Sequence, residues 1–167
     1  MSKDFICFSI MITGAVISTA VMVRQRRKKE MVIAGILTGI AIAALNMALE
    51  YFGSITDIYY VSGPWTLLKT PLPLSVGWVF MTFIYCAVYG RMIRRQRRKG
   101  ALIGFIIGGV VIGWLADYSF YRAGILTLGS RGSPAVIMTV WVVFVPVTIF
   151  IYEFFMGFLE ETSELDI

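Results

Sequence analysis

Apolar residues run along this chain in five long blocks, at about 5–23, 31–52, 71–89, 101–118 and 134–158. A helix needs about 20 residues to cross the hydrocarbon of a bilayer, and the blocks are close to that length or beyond it. The pattern predicts an all-α integral membrane protein with five transmembrane helices, forming a single membrane domain over 1–167.

The polar joints then set an orientation. "RQRRKK" at 24–29 and "RMIRRQRRK" at 91–99 hold 11 of the 15 Lys and Arg residues. Cationic loops beside membrane spans stay in the cytoplasm. The expected protein is therefore a multi-pass cell-membrane protein with its N-terminus outside and its C-terminus cytoplasmic. The connections at 53–70 and 119–133 then face outward. Basic runs can also mark nucleic-acid binding, but each of these abuts a span, so topology and anionic lipid account for them and no nucleic-acid partner is expected. In the first block the charge follows the apolar run instead of preceding it, which fits a retained span better than a cleaved leader. The tail "LEETSELDI" reads as a solvated cytoplasmic end.

Composition sharpens the class. Of 167 residues, 58% are hydrophobic and 15% charged, and the mean hydropathy is +0.80. That is too little polar surface to coat a water-soluble domain. The two cysteines, Cys7 and Cys86, lie in separate apolar blocks and read as small buried hydrophobes. Histidine is absent, which excludes histidine-based zinc, haem or triad chemistry. No phosphate-binding loop, dinucleotide glycine pattern, lipase elbow or CxxC pair occurs, and no metal or cofactor is expected. Any reaction falls to carboxylates, hydroxyls and a few cations.

Aligning the two basic runs brings out an internal repeat. "AGILTGIAIAALNMALEY" lies over "IGFIIGGVVIGWLADY", and each ends in acid–Tyr: Glu50-Tyr51 and Asp117-Tyr118. A connection then leads to Pro71 or Pro134, and seven residues later to Trp78 or Trp141. Proline suits the first turn of a helix, and i to i+7 returns to the same face about 10 Å further along. Both halves run in the same sense, so the expected architecture is a parallel repeat of spans 2–3 and 4–5 plus one extra N-terminal span. The pairs Gly35/Gly39, Gly104/Gly108 and Gly109/Gly113 let helix backbones approach closely in lipid. They predict that spans two and four are the inner helices.

Charges within membrane segments are costly and often functional, which makes Glu50 and Asp117 the first candidates for an acid/base pair. Both lie about 30 Å of helix from the basic runs, at the far interface, where a carboxylate can also be merely hydrated or paired with Arg122 or Lys69. Recurrence in both halves favours a site. Asp57 is a third carboxylate candidate, and Tyr60 beside it is a binding candidate. Interfacial tyrosine and tryptophan are also common simply as belts, the reading favoured for Trp65. Trp78 and Trp141 can pack, or can line a slot and shelter a cation with their ring faces. Asn46, one turn before Glu50, can hydrogen-bond to it. Pro146 is expected to kink the fifth span.

Acid-x-x-Gly from Glu50 to Gly53, the Tyr-rich segment after it, Gly63-Pro64, Pro71 with Trp78, and a second acid with Pro134 and Trp141 together resemble a carotenoid-biosynthesis membrane family. That family includes bisanhydrobacterioruberin hydratase and the carotenoid 1,2-hydratases. The resemblance covers about 35–145 and departs from the family at Ile137, where a polar residue is usual. It implies a lyase-class membrane hydratase that adds water to the end of an acyclic carotenoid or related isoprenoid lipid. Glu50, Asp117 and Asp57 would be its catalytic carboxylates, with Trp78, Trp141, Tyr60 and Asn46 against the substrate.

Two other classes compete. One is a non-catalytic subunit or assembly partner, associating with itself or with other membrane subunits through Gly-rich helix faces. The other is a lipid or ion carrier, which the lack of charge at mid-membrane disfavours. The topology is directly testable: a reporter active only outside the cytoplasm should be active when inserted at 62 and silent at 96.

Overall fold

The computed structural model describes residues 2–25, 29–94 and 99–165. Five helices carry the chain: α1 (Lys3–Gln25), α2 (Lys29–Ile55), α3 (Leu72–Val88), α4 (Lys99–Arg122) and α5 (Pro134–Leu165). The segments Lys3–Arg24, Lys29–Ile55, Leu72–Met92, Lys99–Arg122 and Pro134–Thr162 are each long and apolar enough to cross a membrane. Even the shortest, at 21 residues, spans about 30 Å at 1.5 Å per residue. The chain is a multi-pass membrane protein by this measure. The middles of both basic runs, 26–28 and 95–98, lie outside the described residues.

Four short strands occupy the connections after α2 and α4: β1 (Tyr59–Val61), β2 (Thr66–Leu67), β3 (Thr70–Pro71) and β4 (Leu126–Leu128). Both helices run past their expected ends and stop in the same way. Asp57, at φ 57°, and Gly124, at φ 70°, take the left-handed position that ends a helix. The next amides close back on the last turn, Ile58 N–H to the Gly53 carbonyl and Ile125 N–H to that of Phe120, both at 2.9 Å. The chain then turns into β1 and β4, which pair antiparallel with Tyr60 opposite Thr127 at the centre. β2 and β3 form a separate two-residue hairpin whose turn residues, Leu68 and Lys69, both have positive φ. That turn geometry usually calls for Asn-Gly, so Leu and Lys there cost on the order of 1 kcal/mol each.

Prolines start the return helices as the sequence predicts: Pro134 is the first residue of α5, and Pro71 (φ −63°) caps α3. At its other end α3 widens into a π-type turn over Tyr89–Ile93. Past that turn Arg94 reaches α5, donating from Nη1 and Nη2 to the two oxygens of Glu160 at 2.8 Å each and from Nε to Glu153 at 3.1 Å. The acidic segment, expected to be a solvated end, is helical through Leu165, and α5 runs continuously through Pro146.

Packing separates the two glycine-rich helices. On α2, Gly35 lies against Phe83 and Gly39 against the Val79 carbonyl, where an added Cβ would stand 2.6 Å from that oxygen. α2 is therefore an inner helix. On α4 only one of the two glycine pairs is used: Gly113 lies under the Trp141 indole, and Gly109 meets the Tyr85 hydroxyl and Val145. Gly104 and Gly108 meet nothing within 4 Å. Contrary to expectation α4 is an edge helix, because its two glycine stripes point in different directions and only one finds a neighbour. α3, which has no glycine pair, is the most enclosed of the five spans.

One core cluster, near the basic end, gathers Met31, Ala34, Cys86, Tyr89, Ile149, Tyr152 and Met156. A smaller one at the strand end holds Cys7, Leu74 and Ile125. Both cysteines are free and buried.

The two kinds of glycine should respond differently to bulk. Gly113→Leu drives a side chain into Trp141 and is expected to cost about 1–3 kcal/mol. Gly104→Leu is expected to stay within about 0.5 kcal/mol of wild type. Detergent-unfolding midpoints of the two variants check the difference.

Candidate functional site

Glu50 lies one turn and a half before the end of α2 and Asp117 at the matching place on α4. Both line a single cavity between the helix ends and the β1–β4 pair, together with Asn46, Tyr59, Trp78 and Trp141. Up to its open mouth, the cavity measures about 40 Å³. That suffices for a few water molecules.

The two carboxyls are held differently. Glu50 is 7% exposed, and its Oε1 accepts from Asn46 Nδ2 at 2.6 Å, the i to i+4 contact expected from the sequence. Its Oε2 is buried without a hydrogen-bond partner. The hydroxyl of Thr70, fully buried on β3, lies close enough to act on this carboxyl yet forms no hydrogen bond of its own. Asp117 is half-buried, and its Oδ2 accepts from the Trp141 indole N–H at 2.5 Å. Among the described residues no cation lies within ion-pair distance of either carboxyl. Arg122 and Lys69, the expected counter-ions, are both exposed.

Trp78 and Trp141 meet each other, with ring centroids 5.2 Å apart and planes inclined by 32°. They make one aromatic wall, extended by Phe144, and not the two opposing walls of a slot. The cause is Gly113, which lets the Trp141 ring lie flat on α4. Ile137, the departure from the family pattern, lines the same cavity as an apolar group.

β1 roofs this space. Successive side chains of a strand face opposite ways, so Tyr59 and Val61 point into the cavity and Tyr60, 41% exposed, points out. Gly53, one turn after Glu50, makes the room: a Cβ there would stand 2.6 Å from the Tyr59 ring. Burial, and then the charges of Glu50 and Asp117, push the Tyr59 phenol well above its ordinary range, which keeps it a neutral hydroxyl. Tyr59 and Thr70 are the site residues that sequence reasoning missed. Strand alternation in "DIYYV" is the signal that distinguishes Tyr59 from Tyr60, whereas nothing in the sequence marks Thr70.

Asp57 stands outside the cavity, among exposed groups, and ties the two connections together. Its Oδ2 accepts from the Ser130 amide at 3.2 Å and from the Ser130 hydroxyl, and its Oδ1 accepts from Tyr60 at 2.7 Å. The Arg131 amide donates to the Asp57 carbonyl at 3.0 Å. The geometry gives Asp57 and Tyr60 a part in holding the roof and brings neither to the cavity. Among the described residues no three Asp, Glu, Cys or His side chains cluster as a metal site would require. No protein-family model, curated protein or solved structure matches this chain.

The Ser130 hydroxyl first, then Tyr60, hold the Asp57 carboxyl below its ordinary value of 3.8. A depressed carboxyl stabilises the folded state above its unfolded value, and that contribution disappears as pH falls through the folded one. Amide exchange at Ser130, corrected for its intrinsic pH dependence, is therefore expected to speed up below pH 3.8. Asp57→Ala is expected to produce the same loosening at neutral pH.

Proposed function

We propose that this protein is a membrane hydratase-like enzyme that adds water to the terminal double bond of an acyclic isoprenoid such as a carotenoid, using Glu50 and Asp117 as an acid/base pair. The observation that carries the reading is the free, buried carboxyl oxygen of Glu50 on a cavity shared with Asp117 and walled by two indoles. In its protonated form Glu50 gives its proton to the end of the double bond, leaving a tertiary cation. The indole faces stabilise that cation. Asp117, held in place by the Trp141 N–H, takes a proton from water as the water oxygen bonds to the cation. The net change is one double bond and one water consumed, and the proton returns from Asp117 to Glu50 through water. The room for a few waters supports this reading. The isoprenoid end itself would enter by the open mouth.

Duplication of a two-span unit is part of the same proposal. Its support is the like-built exits of α2 and α4, the strand pairing centred on Tyr60 and Thr127, each ten residues after its acid, and the meeting of Trp78 with Trp141. A twofold axis along the membrane normal relates all of these.

A second reading, as a subunit of a larger membrane assembly, has one observation in its favour. Gly104 and Gly108 leave an open stripe on α4 beside exposed Ile103, Ile107 and Val111.

Expression in a lycopene-producing bacterium, with pigments read by mass spectrometry, separates the readings. The hydratase is expected to yield pigment heavier by one water, with Glu50→Gln and Asp117→Asn each lowering that yield by about 10²-fold or more. Unchanged pigment, with other membrane subunits copurifying and lost in Gly104→Leu, supports the assembly reading instead.

A further inference from the structure

The connection after α2 contains an element that the connection after α4 lacks. From acid to proline it is four residues longer, Glu50 to Pro71 against Asp117 to Pro134, and the β2–β3 hairpin occupies this stretch. The path of the chain into the hairpin can be followed along α1. Ser62 accepts from Lys3 Nζ at 3.3 Å, Gly63 lies beside Cys7, and the Trp65 ring packs edge-on against Phe8 at 5.1 Å. Each step is further from the start of α1, and Phe8 is about 7–8 Å along the helix from Lys3 at 1.5 Å per residue. The chain therefore descends beside a membrane-crossing helix instead of rising away from it.

At the bottom of this descent the hairpin shows apolar side chains outward: Trp65 is 69% exposed, Leu68 54% and Leu67 51%. They continue the exposed apolar face of α1, where Phe5 and Ile12 lie above and below Phe8. The strained turn carries Leu68 and Lys69 where Asn-Gly would fit without strain, so the side chains and not the backbone explain the choice. Tryptophan is enriched where acyl chains meet headgroups, and lysine there extends its charge to the headgroups. At the other end of the hairpin, Thr70 carries its buried, unpartnered hydroxyl to the Glu50 carboxyl.

We propose that the Trp65–Thr70 hairpin is a lipid-docked strap: its tip sits in the acyl–headgroup boundary of the adjoining leaflet, and this anchoring seats Thr70 beside the Glu50 carboxyl. The strands of the hairpin can enter that region because their backbone groups are paired, through β2–β3 and through Leu72 N–H to the Trp65 carbonyl at 3.0 Å. The strap makes the two carboxyls unequal. Glu50 is covered by an element that lipid holds down, and Asp117 by an indole fixed within the bundle. This inference does not depend on a chemical role for the cavity.

Two measurements on the full chain in phosphatidylcholine vesicles test it. The first compares wild type with Trp65→Phe, which keeps the packing on Phe8. The emission belonging to Trp65 is expected to be quenched several-fold more by lipid brominated high on its acyl chains than by acrylamide in the water. Quenching by acrylamide alone overturns the docking. The second uses dicyclohexylcarbodiimide, an apolar reagent that adds to a protonated carboxyl, with labelling of the Glu50 peptide read by mass spectrometry. Thr70→Val removes the hydroxyl at nearly constant shape, and Leu68→Asp pulls the tip towards water. Both are expected to raise labelling several-fold. Wild-type labelling in Leu68→Asp, or in both variants, overturns the coupling between lipid and Glu50.

Discussion

The antiparallel pairing of Tyr59–Val61 with Leu126–Leu128 is the contact on which the rest of the site depends. Each strand leaves the end of a membrane helix with unsatisfied amides and carbonyls. A segment that turns back over apolar helix ends cannot leave those groups unpaired without a cost of one to a few kcal/mol apiece. By pairing with one another the two connections satisfy themselves and close a roof. Beneath it two carboxyls that would otherwise be interfacial share an enclosed space. Asp57 and Ser130 hold the margin of that roof from the wet side.

Small residues determine what lies under the roof. Gly53 admits the Tyr59 ring above Glu50, and Gly113 admits the Trp141 ring onto α4, where its N–H reaches Asp117. Both are matters of close approach, since lipid provides little hydrophobic drive for helices to associate and contact distance decides the gain. The two carboxyls consequently receive different partners. Asp117 has a fixed donor. Glu50 has Asn46 on one oxygen and no hydrogen-bond partner on the second. The proposed acid/base pair rests on this asymmetry.

Much of this was legible in the chain. Block length and hydropathy placed all five helices to within a few residues, except where α2, α4 and α5 continue past their expected ends. Asn46, Glu50, Asp117, Trp78 and Trp141 come together on one cavity. The differences between expectation and structure share a cause: they concern which way a residue faces. Tyr59, not Tyr60, faces the cavity, a distinction carried by the alternation of a three-residue strand, and the partner that holds Asp57 at the margin lies 73 residues away. The role expected of α4 as an inner helix failed for the same reason, because a glycine stripe shows that close approach is possible and not that a neighbour is there.

The sequence by itself determined the membrane class, the five helices long and apolar enough to cross, and the recurrence of acid, proline and tryptophan. These follow from local composition and spacing, which act through partition into lipid and through backbone geometry. Only the tertiary structure decided that the two carboxyls share a cavity, that the indoles form one wall, and that Thr70 rather than Lys69 or Arg122 stands beside Glu50. Those outcomes depend on strand register and helix contact between segments distant in the chain, and no local pattern encodes them.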